Sequence, residues 1–249
     1  IVKKSLYDIE NDYLFKYSPF KEFSLNQLEV INSVIEIIST ETEIEDIAFD
    51  GSIINLRKLN PKGSKTIIRG GPGTGKTLVL VKLVHDLTKR YGISQDEIAI
   101  CIPQSNLNKI FKTMFKELKL KCKIIKPVDL SKVADQQYNL LIVDEAHRLK
   151  QMFSKQTKDL KHLLGGKINE FDLACSKSKN LILLYDEKQS VRPADITYVD
   201  NTFTKNFKQL HLTEQFRVKK GHQYLDFLEA LLQISDNVPN PNDLGDYEF

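Results

Sequence analysis

Eight consecutive residues constrain this chain more than any other feature: Gly70-Gly71-Pro72-Gly73-Thr74-Gly75-Lys76-Thr77. So many glycines beside a proline suit neither the interior of a strand nor that of a helix, so the segment has to be a turn. Its flanks are the opposite. Residues 65–69 (KTIIR) form a short apolar run, and residues 77–91 (TLVLVKLVHDLTKRY) carry apolar side chains at helical spacing until Gly92. The local structure is therefore strand, tight turn, helix. The pattern G-x-x-x-x-G-K-[ST] at such a junction lets consecutive backbone N–H groups curl around a phosphate at a helix N-terminus. Gly71, Pro72, Gly73, Thr74, Gly75, Lys76 and Thr77 are accordingly candidate nucleotide-binding residues. Lys76 would reach the β and γ phosphates of ATP, and the Thr77 hydroxyl would serve Mg²⁺, which prefers hard oxygen ligands.

The same alternation continues along the chain. Residues 97–102, 123–125, 139–143 and 180–185 are buried-strand candidates, each followed by a helix-compatible segment. Near-continuous apolar strands separated by helices predict an α/β fold with a mostly parallel sheet, helices on both faces and ligands at the carboxyl ends of the strands. Upstream, residues 24–38 read as an amphipathic helix capped by Ser24, whereas residues 41–60 read as acidic and then irregular. Residues 221–234 read as a further helix. At 249 residues with 41% hydrophobic and 28% charged side chains, the composition excludes wholesale disorder. No stretch is apolar enough for a membrane span or a secretion signal. Cys101, Cys122 and Cys175 stand singly, which fits neither a disulfide framework nor a zinc site and predicts a reducing, cytoplasmic setting.

A second chemical element is Leu140-Leu141-Ile142-Val143-Asp144-Glu145-Ala146-His147, a strand of Walker B type delivering two carboxylates to its carboxyl end. Asp144 can hold Mg²⁺, through water, and Glu145 can polarise the water that attacks the γ-phosphate. Two further segments follow, Leu183-Leu184-Tyr185-Asp186-Glu187-Lys188-Gln189 and Leu212-Thr213-Glu214-Gln215-Phe216-Arg217. With these the chain resembles superfamily 1 helicases, whose third motif is a strand ending in Asp-x-x-Gln and whose fourth places an Arg after an aromatic residue. The Ser-Ala-Thr tripeptide of superfamily 2 is missing from the sequence. GGPGTGKT, LLIVDEAHRL, LYDEKQSVRP and LTEQFRV, in this order, are similar to the Schlafen group 3-like DNA/RNA helicase domain over roughly residues 20–249.

That resemblance implies a RecA-like P-loop NTPase spanning residues 23–236. Residues 1–22 would be an acidic extension or the end of an upstream domain, and residues 237–249 a linker toward a second RecA-like domain. It also implies roles: Gln189 as γ-phosphate sensor, Arg217 as arginine finger, and Gln27 as the glutamine that reads adenine. With Lys76 and Glu145, Gln189 and Arg217 complete the candidate catalytic set. In the resembled helicases the segment after the second strand touches single-stranded DNA or RNA, which points to Gln104, Ser105, Lys109 and Lys112.

Charge distribution bears on the same point. The net charge is only +3, but residues 1–50 hold 4 Lys against 11 Asp/Glu, and residues 101–133 hold 8 Lys against Glu117 and Asp129. A second basic cluster comprises Arg148, Lys150, Lys155, Lys158, Lys161 and Lys167. Each reads either as phosphate contacts or as a solvated helix face. Two other functions use the same loop: an AAA+-type ATPase acting on protein partners, and a nucleotide-binding module that scaffolds a fused nuclease.

Overall fold

Ser24 opens the first helix, α1 (Leu25–Ile38), as its sequence predicts. Its hydroxyl accepts from the Gln27 amide, and the Gln27 side chain accepts in return from the Ser24 amide, a reciprocal capping box. The structure is a computed structural model that describes residues 17–47, 53–150, 169–186, 189 and 204–216. Residues 1–16, Lys155, Lys158, Lys161, Lys167, Arg217, the helix expected at 221–234 and the linker expected at 237–249 lie outside the described residues.

After α1 the chain forms an antiparallel hairpin of β1 (Ser39–Ile47) and β2 (Ile53–Leu59), paired from Ser39↔Leu59 to Ile47↔Ile53. This corrects the irregular reading of residues 41–60. The segment is rich in Glu and Thr, so alternation there carries charge in place of the apolar residues that advertise a strand. Arg57 helps to offset that charge: it donates to both Glu36 carboxylate oxygens, at 2.7 and 3.0 Å, and lies 3.5 Å from Glu41.

The main sheet contains β3 (Ser64–Gly70), β4 (Ile98–Cys101), β5 (Lys123–Ile125), β6 (Tyr138–Val143), β7 (Ser178–Tyr185) and β8 (Lys208–Leu212). Their order is β5-β4-β6-β7-β3-β8, and every pair is parallel. Within each strand, successive residues go to opposite faces. Ile68, Ile100, Ile142 and Leu184 join one core with α1, α2 (Lys76–His85) and α3 (Ser105–Glu117). Ile67, Ala99, Leu141 and Leu183 join the other with α4 (Glu170–Lys177). Both faces are thus covered, which is why these strands read as continuous apolar runs. Phe111 and Phe115 of α3 are buried in the first core.

Three details depart from expectation. The helix predicted over 77–91 ends at His85 and continues as a wider π turn over Asp86–Arg90. The segment after β5 is a 3₁₀ turn, Pro127–Lys132, with its proline at the first position. β8 was not anticipated, because an edge strand reading Lys-Gln-Leu-His-Leu lacks a buried face to write a pattern. Burial pushes the Cys101 thiol well up, that of Cys122 up to about 12 and that of Cys175 up to about 11, so all three remain protonated near neutral pH.

Replacing Ser24 with Ala removes one half of the capping box. We expect a loss of about 1 kcal/mol in urea unfolding, in the range measured for helix caps.

Candidate functional site

Parallel register decides where the chemistry collects. Arg69 pairs with Tyr185, Gly70 with Leu212, and Cys101 with Val143. The next residues along each strand, Gly71, Asp186, Thr213 and Asp144, therefore leave the sheet at the same end.

The turn after β3 needs its glycines. Gly73 and Gly75 have φ of 80° and 82°, a left-handed region costly for other residues. A Cβ on Gly75 would also stand 2.5 Å from Gln27 Nε2. Lys76 begins α2 and is only 8% exposed. Its ammonium donates to Gly70 O at 2.7 Å, Gly71 O at 2.9 Å and Asp186 Oδ2 at 3.1 Å. The Thr77 hydroxyl donates to Asp144 Oδ2 at 3.1 Å, and Asp144 Oδ1 accepts from the Glu145 amide at 3.0 Å.

Asp144 is fully buried. Burial, followed by the adjacent Glu145 charge, pushes its carboxyl up to about 6 against the pull of Thr77, the Glu145 amide and Lys76. A buried carboxylate beside a hydroxyl, poorly compensated by positive charge, is a donor set that fits a small hard cation such as Mg²⁺.

Glu145 stands in the left-handed region, φ 52° and ψ 44°, at the start of a 3₁₀ turn over Ala146–Arg148. Its Oε2 lies 3.1 Å from His147 Nε2 and 3.5 Å from Arg148 Nε. The His147 contact is close but not aligned as a hydrogen bond, and the ring is fully buried against the Tyr185 ring. Burial raises the Glu145 carboxyl, but the His147 ring and the charges of Lys76 and Arg148 more than offset this and hold it below the usual carboxylate range.

Two other segments, α1 and the stretch after β8, close on the loop. Gln27, 3% exposed, donates from Nε2 to Thr74 O at 3.0 Å. This places it beside the loop, with both ends of its amide engaged by protein. The Gln189 amide donates to Asp186 O at 3.5 Å, which places Gln189 one turn beyond β7. The Phe216 amide donates to Gly73 O at 3.0 Å, so the chain leaving β8 rests on the loop immediately before Arg217.

The nucleic-acid candidates sit elsewhere on the same end. Gln104 is the N-cap residue of α3, with Ser105, Lys109 and Lys112 exposed along that helix. With its amide oxygen turned toward Arg148, Gln104 accepts from Nε at 2.7 Å and Nη2 at 3.2 Å.

Sequence reasoning missed two contributors. Asn26 donates to His211 O and accepts from the Thr213 amide, stitching α1 to β8, and only its position beside Gln27 could have drawn notice. Arg148 was read as part of a basic cluster, while here it faces Glu145. A hollow of about 200 Å³ lined by Arg69, Gly70, Asp186, His211 and Thr213 adjoins the loop. A larger one, about 490 Å³, lies at the amino ends of the strands beside Asn139 and Asn180, away from this chemistry.

The parallel sheet, its order and the glycine loop entering α2 define a P-loop NTPase domain of RecA-like α/β fold. The family model of the Schlafen group 3, DNA/RNA helicase domain matches residues 64–249, and the chain belongs to that family. No curated protein matches the chain. Among solved structures it is similar to a Pif1 helicase from Candida albicans, at 15% identity and a TM-score of 0.47 over 92% of this chain. It spans 47% of that helicase, about half its length. It is also similar to domain III of the Thermotoga maritima replication initiation protein DnaA, at 15% identity and a TM-score of 0.39, covering 92% of this chain and 78% of that one. These are likenesses of fold alone. Among the described residues no helix is long and apolar enough to cross a membrane.

A raised carboxyl lowers stability once ionised, so without divalent cation Asp144 costs nothing well below pH 4 and its full amount above pH 6. Asp144→Asn should therefore be more stable than the parent protein in chelator, by up to about 3 kcal/mol near neutral pH, with the difference growing between about pH 4 and 6. Urea unfolding at several pH values measures it; equal stabilities throughout would contradict the assignment of a strained carboxylate.

Proposed function

We propose that this chain is the first motor domain of a superfamily 1 type DNA/RNA helicase or translocase, which binds and hydrolyses ATP with Mg²⁺. The observation that carries the reading is the seating of the LTEQF segment on the phosphate loop. Phe216 meets Gly73 while Asp186, at the end of β7, meets Lys76 of the loop, so the two segments that point to a helicase over other P-loop proteins each reach the nucleotide side. On this reading residues 23–236 form the motor domain, residues 237–249 lead toward a second RecA-like domain, and a fused nuclease is compatible with the family.

The chemistry follows from the side chains. Triphosphate entering the loop competes with Gly70 O, Gly71 O and Asp186 for the Lys76 ammonium, which then neutralises phosphate charge. Thr77 and Asp144 would hold Mg²⁺, which supplies charge neutralisation between the phosphates. Glu145, kept ionised near neutral pH, orients the attacking water by accepting a hydrogen bond from it. Arg217 follows the residue seated on Gly73 and would supply the finger. Single-stranded DNA or RNA would run over Gln104, Ser105, Lys109 and Lys112, held chiefly through its phosphates.

Lys76→Ala should abolish nucleotide binding in a fluorescent-nucleotide titration. Glu145→Gln should keep binding but lower turnover by at least about a hundredfold, the usual weight of a positioned acid–base group. Stimulation of turnover by single-stranded nucleic acid that fades with added salt supports the motor. ATP-driven assembly into a ring with no nucleic-acid affinity would instead support an AAA+-type ATPase, and binding without turnover a scaffold.

A further inference from the structure

Arg148 has no part in the reaction as described, yet it touches both sides of the domain that such a motor has to link. Its Nε lies 2.7 Å from the Gln104 amide oxygen and 3.5 Å from Glu145 Oε2, and its Nη2 lies 3.2 Å from the same Gln104 oxygen. We propose that Arg148 is a positioning residue that couples nucleic-acid binding at the head of α3 to the Glu145 carboxylate, by sharing one Nε–H between Gln104 and Glu145. This rests on the reading of Gln104 and Ser105 as nucleic-acid contacts.

The topology makes the meeting unavoidable. β4 and β6 are neighbours with Cys101 opposite Val143, so the residues just past both strand ends face each other. Gln104 occupies the N-cap position of α3 but makes no capping hydrogen bond through its side chain, which leaves the amide to reach sideways. On the other strand the backbone is closed into a turn, with the Arg148 amide donating to Glu145 O at 2.9 Å. That turn holds Arg148 and Glu145 on one short segment, which keeps the guanidinium beside the carboxylate.

The carboxylate has two neighbours of unlike character. His147 is fully buried, whereas the Arg148 side chain is 30% exposed, which leaves it room to re-aim. One N–H directs its full strength at one acceptor, and with the Gln104 amide oxygen turned toward Arg148 that acceptor is Gln104, at 2.7 Å against 3.5 Å to Glu145. A phosphate that draws the Gln104 amide toward itself releases Nε–H to Glu145, closing the 3.5 Å separation and fixing the orientation of the carboxylate. Arginine suits this work because its donors stand in a rigid plane, whereas the donors of a lysine ammonium turn about one point on a flexible stem.

The test follows the Arg148 Nε–H resonance of the full chain by NMR, assigned through its loss in Arg148→Lys, while single-stranded oligo(dT) or oligo(rU) is added. The resonance should move together with the Ser105 and Lys109 amides. In Gln104→Leu it should already stand at the shifted position and move no further. Movement of Ser105 and Lys109 with Arg148 still overturns the coupling alone, and no movement anywhere overturns the nucleic-acid reading beneath it. Arg148 indifferent to Gln104→Leu overturns the shared N–H whatever the oligonucleotide does. In steady-state hydrolysis, Arg148→Met should cut nucleic-acid stimulation of kcat by at least about fivefold, the lower end of coupling between sites, with KM for ATP unchanged. Gln104→Leu should raise unstimulated turnover; equal stimulation in Arg148→Met and the parent protein would refute the role.

Discussion

A lysine ammonium nine-tenths buried beneath a glycine turn has to be neutralised, and most of the site is arranged by that need. Gly70 and Gly71 turn their carbonyls inward to Lys76, which sets the shape of the turn, and Asp186 supplies the countercharge from β7. Stripping one member from a buried ion pair typically costs about 3 to 5 kcal/mol, so the pair ties the end of β7 to the start of α2. An anion of matching size can replace Asp186 as the partner without leaving the ammonium bare. The resting contact and the proposed binding step are in this sense two occupancies of one charge.

The second constraint is parallel pairing. It sends every strand toward the same end of the sheet, and it puts carboxylates from β6 and β7 and the turn from β3 within reach of one another. Glu145 then sits where three influences meet: the buried His147 ring, the Lys76 charge and the re-aimable Arg148. Asp144, one residue earlier, has burial and a like charge against it, which Thr77, the Glu145 amide and Lys76 offset only in part. Neighbouring carboxylates with opposite shifts are suited to different work, one to hold a cation and one to stay ionised and accept from water.

Much of this was legible in the chain. The strand–turn–helix around Gly70 to Thr77, the four other strand segments and the capped α1 are local patterns: glycine conformational freedom, apolar runs, a serine with a glutamine three residues on. Asp144, Glu145 and Asp186 were legible because they end such runs. The hairpin of β1 and β2 and the edge strand β8 were not, since the first reads as Glu and Thr and the second as Lys-Gln-Leu-His-Leu, neither with a hydrophobic period to read. The resemblance assigns Gln27 to adenine; that its side chain also donates to Thr74 O shows only when α1 is packed against α2.

By itself, then, the sequence determined the kind of elements and the chemistry carried at their ends, because helix, strand and glycine turn answer to neighbours a few residues away. Only the tertiary structure decided which ends meet: Lys76 with Asp186, Phe216 with Gly73, Asn26 with the chain leaving β8, and Arg148 between Gln104 and Glu145. Those contacts join residues separated by up to nearly two hundred positions. They depend on strand order and register, which are settled by how two cores pack on the two faces of one sheet and leave no trace in any short stretch of the chain.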